Sequence, residues 1–144
     1  MKVKVFLDAS CLMAALGSSK GGSHKLLEII KESKHILYTS EIAIEETKRH
    51  VDRVGSTKGK LAIMIRRYKV EVLDAPDINE VENCYKLVTD KEDAYLIASS
   101  YICDCHYLVS LDKRHVLSLT NKVRRPKIVS PREMIEIIKG KNEK

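Results

Sequence analysis

Tyr107-Leu108-Val109-Ser110-Leu111-Asp112 reads as a strand of five residues, Tyr107 to Leu111, followed at once by an acid, and what flanks it decides the fold. Upstream, Thr89-x-x-Glu92 and Asp90-x-x-Asp93 both have capping-box spacing, and they open a helix through Ala94, Ile97, Ala98, Tyr101 and Ile102. Downstream the pattern predicts a short helix from Lys113 to about Leu119, a basic loop, a fifth strand at Lys127 to Val129, and a terminal helix opened by Ser130 and Pro131. Strands separated by helices need crossover connections, and those join parallel strands.

The amino-terminal half has the same alternation. Val3, Val5, Phe6 and Leu7 form an apolar run that stops at Asp8, and Ala9 to Leu16 reads as a helix. After the Gly17 to Gly22 loop, Ser23 stands where an N-cap is expected, ahead of Leu26, Leu27, Ile29 and Ile30, in a helix that runs to about Ser33. A second strand, Ile36 to Thr39, feeds a helix from Ser40 with Ala43, Ile44, Thr47, Val51 and Val54 on one side, closed by Gly55. Leu61 to Tyr68 reads as helix, Val70 to Leu73 as a third strand and Ile78 to Val88 as helix. The expected class is α/β, a three-layer α/β/α sandwich around a parallel sheet of about five strands. Such sheets bind ligands beyond the carboxyl ends of their strands, and Asp8 and Asp112 each lie at such an end.

With 144 residues, one domain covering 1–144 is expected, large enough to bury a core without staples. No apolar run reaches the roughly 18 residues that span a bilayer, and the segment before Asp8 is too short for an export signal, so the expectation is a soluble cytoplasmic protein without membrane attachment. The four cysteines form no Cys-x-x-Cys pair and are expected to be reduced thiols. Cys103, Cys105 and His106 are crowded at an unusual spacing for zinc. A net charge of +6 favours a polyanionic partner. Aromatic residues are only 5% of the chain, so backbone recognition is expected over base stacking.

Four acids share the geography of one strand edge: Asp8, Glu46, Asp93 and Asp112. Singly, each has an ordinary role as a helix cap or a solvated helix charge. Together they repel one another unless a cation neutralises them, and hard oxygen donors suit Mg²⁺ or Mn²⁺. Glu45 and Glu46 compete for one place. At about 100° per residue, Glu46 borders the apolar stripe of its helix, whereas Glu45 points outward and is expected to pair with Arg49.

The segments Val5-Phe6-Leu7-Asp8-Ala9-Ser10, Thr39-Ser40 followed by Glu46, Thr89 to Ala98, and Tyr107 to Lys113 resemble the successive motifs of the PIN domain, of the VapC-like ribonuclease type. The resemblance runs from Val3 to about Ile138. It implies a sheet of order 3-2-1-4-5 and a metal-dependent endoribonuclease acting on single-stranded RNA. Asp8, Glu46, Asp93 and Asp112 would hold Mg²⁺ or Mn²⁺, with Ser10 and Ser110 in support. Many family members are toxins with an antitoxin partner, and many form homodimers. Family members often carry Thr and Gly before the last aspartate, where this chain has Ser110 and Leu111. A phosphate-binding rim for RNA is expected from some of Lys20, Lys48, Arg49, Lys113 and Arg114.

Three other readings compete. A nucleotide-binding P-loop lacks the lysine after Gly22, and its loop follows a helix. A phosphoacceptor receiver domain would use Asp74 but lacks a paired acid beside Asp8, which Leu7 and Ala9 flank. A catalytically silent RNA- or protein-binding module on the same fold would not need all four acids.

Overall fold

A computed structural model describes residues 2–88, 90–112 and 114–142. The elements run β1 (Lys4–Leu7), α1 (Ala9–Gly17), α2 (Gly22–Ser33), β2 (Ile36–Ser40), α3 (Glu41–His50), a 3₁₀ turn (Val51–Val54), α4 (Lys58–Arg67), β3 (Glu71–Leu73), α5 (Ile78–Cys84), α6 (Lys91–Ile102), β4 (Tyr107–Val109), a 3₁₀ turn (Leu117–Asn121), β5 (Lys127–Val129) and α7 (Pro131–Asn142). The five strands form one parallel sheet of order β3-β2-β1-β4-β5, with helices on both faces.

The period of two along the strands sorts the core into two layers. Val5, Leu7, Val109 and Val129 face one side, against Leu12 of α1, Leu26 and Ile30 of α2 and Met134 and Ile138 of α7. Phe6, Leu108 and Ile128 face the other, against Val81 of α5 and Ala94, Ile97 and Ala98 of α6. β1 is central and buried from both faces, which explains its near-continuous apolar run. No helix among the described residues is long and apolar enough to cross a membrane.

Local details differ from the expectations in ways that have physical causes. Gly21, not Ser23, caps α2, and the Ser23 side chain is buried instead. Asp90 caps α6, its Oδ1 accepting from the backbone N–H of Glu92 at 2.8 Å and of Asp93 at 3.2 Å. The competing cap at Thr89 lies outside the described residues. The helix from Ser40 does not continue to Val54: α3 ends at His50, tightens into a 3₁₀ turn and stops at Gly55, whose φ of 67° is a left-handed conformation natural to glycine. The expected helix after Asp112 is a turn followed by the 3₁₀ segment Leu117–Asn121. Ser130 and Glu133 form a reciprocal capping box, each side chain accepting from the other's backbone N–H.

The cysteine expectation is corrected. Cys103 and Cys105 form a disulfide, because Asp104 takes a left-handed turn (φ 50°) that sets their Cα atoms 5.3 Å apart. Cys11 and Cys84 are free and buried.

Candidate active site

The carboxyl ends of β1 and β4 are fastened side by side. The Asp8 N–H donates to Val109 O at 3.1 Å, and the buried Thr39 hydroxyl donates to Leu7 O at 2.8 Å. Asp8 is the N-cap residue of α1 by backbone position, yet its side chain makes no capping bond. Its Oδ2 instead accepts from Ser110 Oγ at 2.6 Å and from Ser10 Oγ at 3.2 Å. Those hydroxyls in turn accept from the next backbone segment: Ser110 Oγ from Asp112 N at 3.0 Å, and Ser10 Oγ from Leu111 N at 3.0 Å. Each hydroxyl has one hydrogen, and both hydrogens go to Asp8. The 3.4 Å contact between the two serine oxygens therefore carries none.

Around this centre the fold opens a cleft of about 760 Å³. Asp8 reaches it from the end of β1, Glu46 from α3, Asp93 from the first turn of α6 and Asp112 from the turn after β4. Asp112 Oδ1 also accepts from His115 N at 3.0 Å, so the capping role open to it is real. Leu111 lines the cleft and is 45% exposed, while its N–H faces inward to Ser10.

Burial first, and like charge after it, pushes the carboxyls of Asp8, Glu46 and Asp93 upward. Burial raises the Asp8 carboxyl above its ordinary range, opposed by the Ser110 and Ser10 hydroxyls, with Asp112 adding a smaller upward push. Glu46 is raised first by burial and then by Asp8 and Glu92, while Arg49 favours its ionised form. Burial and Asp90 raise Asp93, against His115. The donors are hard oxygen throughout, which fits a divalent cation such as Mg²⁺ or Mn²⁺. In this geometry, no group of three His, Cys, Asp or Glu side chains among the described residues is set closely enough to hold an ion. The acids surround the cleft without converging on a point.

Of the basic residues expected at the rim, Arg49 lines the cleft. Lys48 does not: it faces the groove between α3 and α4 and takes Glu45 as its partner at 3.3 Å, in place of the expected Arg49. Glu45 is exposed and Glu46 half-buried, as the helical geometry predicts. Lys20 sits in the exposed α1–α2 turn, outside the cleft lining, and Arg114 is likewise exposed outside it. Lys113 lies outside the described residues. The reading of the sequence missed Glu92 and Lys91, which also line the cleft. Glu92 also fits a capping box with Thr89 in sequence, and its place next to Asp93 in the first turn of α6 sets it at the same edge.

Two rival readings end with the topology. Gly17 closes one helix and Gly21–Gly22 open the next, so the glycine-rich loop joins two helices and has no strand before it. Asp74 follows β3, which is at the sheet edge with β2 between it and β1, unlike the flavodoxin-type order of a receiver.

A PIN domain family model matches residues 4–114. The chain belongs to the PIN domain family. Among solved structures this PIN domain is similar to PAE2754 from Pyrobaculum aerophilum, with a TM-score of 0.66 and 17% identity, covering 97% of this chain and 98% of that one. It is also similar to VapC20 of Mycobacterium tuberculosis, a toxin that cleaves the sarcin-ricin loop, with a TM-score of 0.57 and 20% identity, covering 83% of this chain and 96% of that one. No curated protein matches the sequence.

Proposed function

We propose that this PIN domain is a divalent-metal-dependent endoribonuclease that hydrolyses phosphodiester bonds in single-stranded RNA, of the kind that serves as the toxin of a toxin–antitoxin pair. One observation carries the reading: four carboxylates from four separate elements line a single cleft at the carboxyl end of the sheet. Three of them are raised by burial and by one another. A fold that gathers repelling charge at its ligand-binding edge gains from it when a cation is the ligand.

Asp8, Glu46, Asp93 and Asp112 would hold the ion. Mg²⁺ or Mn²⁺ held there would supply Lewis-acid activation of water and offset charge developing on the phosphoryl oxygens. The chain's own residues do the positioning. Ser10 and Ser110 fix Oδ2 of Asp8 and so orient its carboxylate. Arg49 and Lys91, on the cleft wall, supply positive charge to an entering phosphate. An unpaired strand reaches the in-line geometry for attack more easily than a duplex.

The test is incubation of the purified protein with mixed RNA pools, with Mn²⁺ and with chelator, followed by mapping of the ends. Cleavage that needs the ion and is lost in Asp8→Asn and Asp93→Asn is the expected result. Pools left intact in the presence of bound Mn²⁺ overturn the reading.

A further inference from the structure

The positive charge of this protein is not spread evenly. Between Lys113 and Arg132 the chain has seven Lys and Arg and no Asp or Glu, so the whole +6 excess falls in that segment and the rest of the chain is close to balance. A second acid-free run, Arg53 to Val70, has six, but there Lys58, Arg66 and Lys69 share a groove with Glu41, Glu45 and Glu71. The Lys113–Arg132 segment has a different setting. Its described part, from Arg114, passes through the 3₁₀ turn Leu117–Asn121 and continues into β5, the edge strand next to β4.

Its basic groups are held outward by their neighbours. Val123, Pro126 and Ile128 are buried, while Lys122, Arg124, Arg125 and Lys127 between them are exposed. The apolar residues thus anchor the loop and turn the charges to solvent. Asp104 faces this loop: its carboxylate pairs with Arg125 Nε at 3.3 Å, and its carbonyl accepts from Arg125 Nη2 at 3.4 Å. Lys122, Arg124 and Lys127 have no such acid beside them among the ion pairs of the described residues. No Phe, Tyr or Trp occurs between Lys113 and Arg132, so the surface offers charge without a stacking platform.

We propose that the loop before β5 and the strand's first residue, through Lys122, Arg124 and Lys127, bind the sugar–phosphate backbone of RNA outside the acidic cleft. This surface rests on the ribonuclease reading for its choice of polyanion. The loop lies at the amino end of β5, and the strand rises roughly 10 Å to the carboxyl end, where the neighbouring strand β4 leads to Asp112, so an RNA of several nucleotides passing over the β5 edge spans from the loop to the cleft. The division of labour follows from charge: the cleft repels phosphate until a cation is present, and the β5 edge attracts it at all times. Binding by charge alone selects for a folded or double-stranded flank of the substrate by its phosphate density, and leaves the choice of bond to the cleft.

The experiment measures binding, not cleavage. Fluorescence anisotropy with a labelled stem-loop RNA, in chelator, compares the wild type with the Lys122→Ala/Arg124→Ala/Lys127→Ala variant over a range of salt. The variant is expected to lose about tenfold in affinity or more, and to flatten the slope of log affinity against log salt by about 2 to 3. The charge-keeping variant Lys122→Arg/Arg124→Lys/Lys127→Arg should bind as the wild type does, which separates loss of charge from loss of fold. Equal affinity and equal slope in wild type and alanine variant overturn the surface while leaving the nuclease reading standing. Wild type that binds no RNA in chelator also overturns it. Poly-glutamate that displaces the RNA at equal charge concentration overturns it in favour of an acidic polypeptide partner. RNA binding that follows the expected pattern in a protein that cuts no RNA would instead retain the surface and sink the nuclease.

Discussion

Ser110 Oγ donates to Asp8 Oδ2 at 2.6 Å, joining residues 102 positions apart in the chain. The same oxygen accepts from Asp112 N. One fully buried hydroxyl thus orients the first acid of the cleft and fixes the backbone that presents the last.

Replacing Ser110 by Ala removes both bonds at once. The Asp112 N–H and the Asp8 carboxylate each lose a partner in a setting with little water, so a stability loss of about 1 to 3 kcal/mol is expected by chemical denaturation. Ser10→Ala, whose hydroxyl makes the longer bond to Asp8, should cost less. A larger loss in Ser10→Ala would reverse the ranking of the two hydroxyls.

On the proposed nuclease reading, Glu46→Gln is expected to abolish thermal stabilisation by Mn²⁺ and to lower RNA cleavage by about 100-fold or more, because it removes one of the proposed ligand charges. Glu45→Gln removes only an exposed pair with Lys48, worth at most about 1 kcal/mol, and should leave both readouts at wild-type level. Equal effects of the two changes would remove Glu46 from the site.

Without divalent cation, the protein should become more stable as the pH is lowered from neutral toward the ordinary carboxylate range. Asp8, Glu46 and Asp93 have folded-state values raised above 3.8, 4.5 and 3.8, so between those values and the raised ones the folded state holds more protons than the unfolded one. Stability from these groups is therefore fully present below the unfolded values and lost as pH rises through the folded ones. Glu28, lowered by the Tyr68 hydroxyl that donates to it, has the opposite sign, its stabilisation being lost as pH falls. The difference between wild type and Asp8→Asn isolates the cleft. Melting temperature against pH should show the wild type gaining on the variant as pH falls. With Mn²⁺ added, the stabilisation by the ion should weaken over the same interval, because protons compete for its oxygens. A wild type that loses stability relative to Asp8→Asn on acidification would contradict the raised carboxyl.

Asp90 caps α6 and also pushes Asp93 upward by its charge. Asp90→Ala should cost about 1 kcal/mol, whereas Asp90→Asn keeps the capping oxygen and should stay within about 0.5 kcal/mol of wild type. The denaturation midpoints of the two variants check this, and equal losses would show that charge at the helix start outweighs the capping bond.

Much of this protein was legible in the order of its residues because the signals were local. The alternation of apolar strands with helical periods specified the layered α/β class, and the break from Leu7 to Asp8 marked a strand end. Helical geometry alone separated Glu46 from Glu45, since 100° of rotation is a property of the helix and not of its neighbours. The strand order itself came by way of the motifs and their likeness to the PIN domain, and the sheet has that order.

The tertiary structure decided whatever depended on which surfaces meet. Nothing near Ser23 in the chain announces that its side chain is buried and that Gly21 takes the cap. Lys48 and Arg49 are adjacent in sequence, yet one faces the α3–α4 groove and the other the acidic cleft. The Cys103–Cys105 bond depends on the left-handed turn at Asp104, and the hydroxyl triangle on the register that pairs Leu7 with Val109. Capping, periodicity and turn chemistry act over a few residues and are written in them. A hydrogen bond between Asp8 and Ser110 exists only after two parallel strands have paired in one register, and that register is fixed by the packing of both faces of the sheet together.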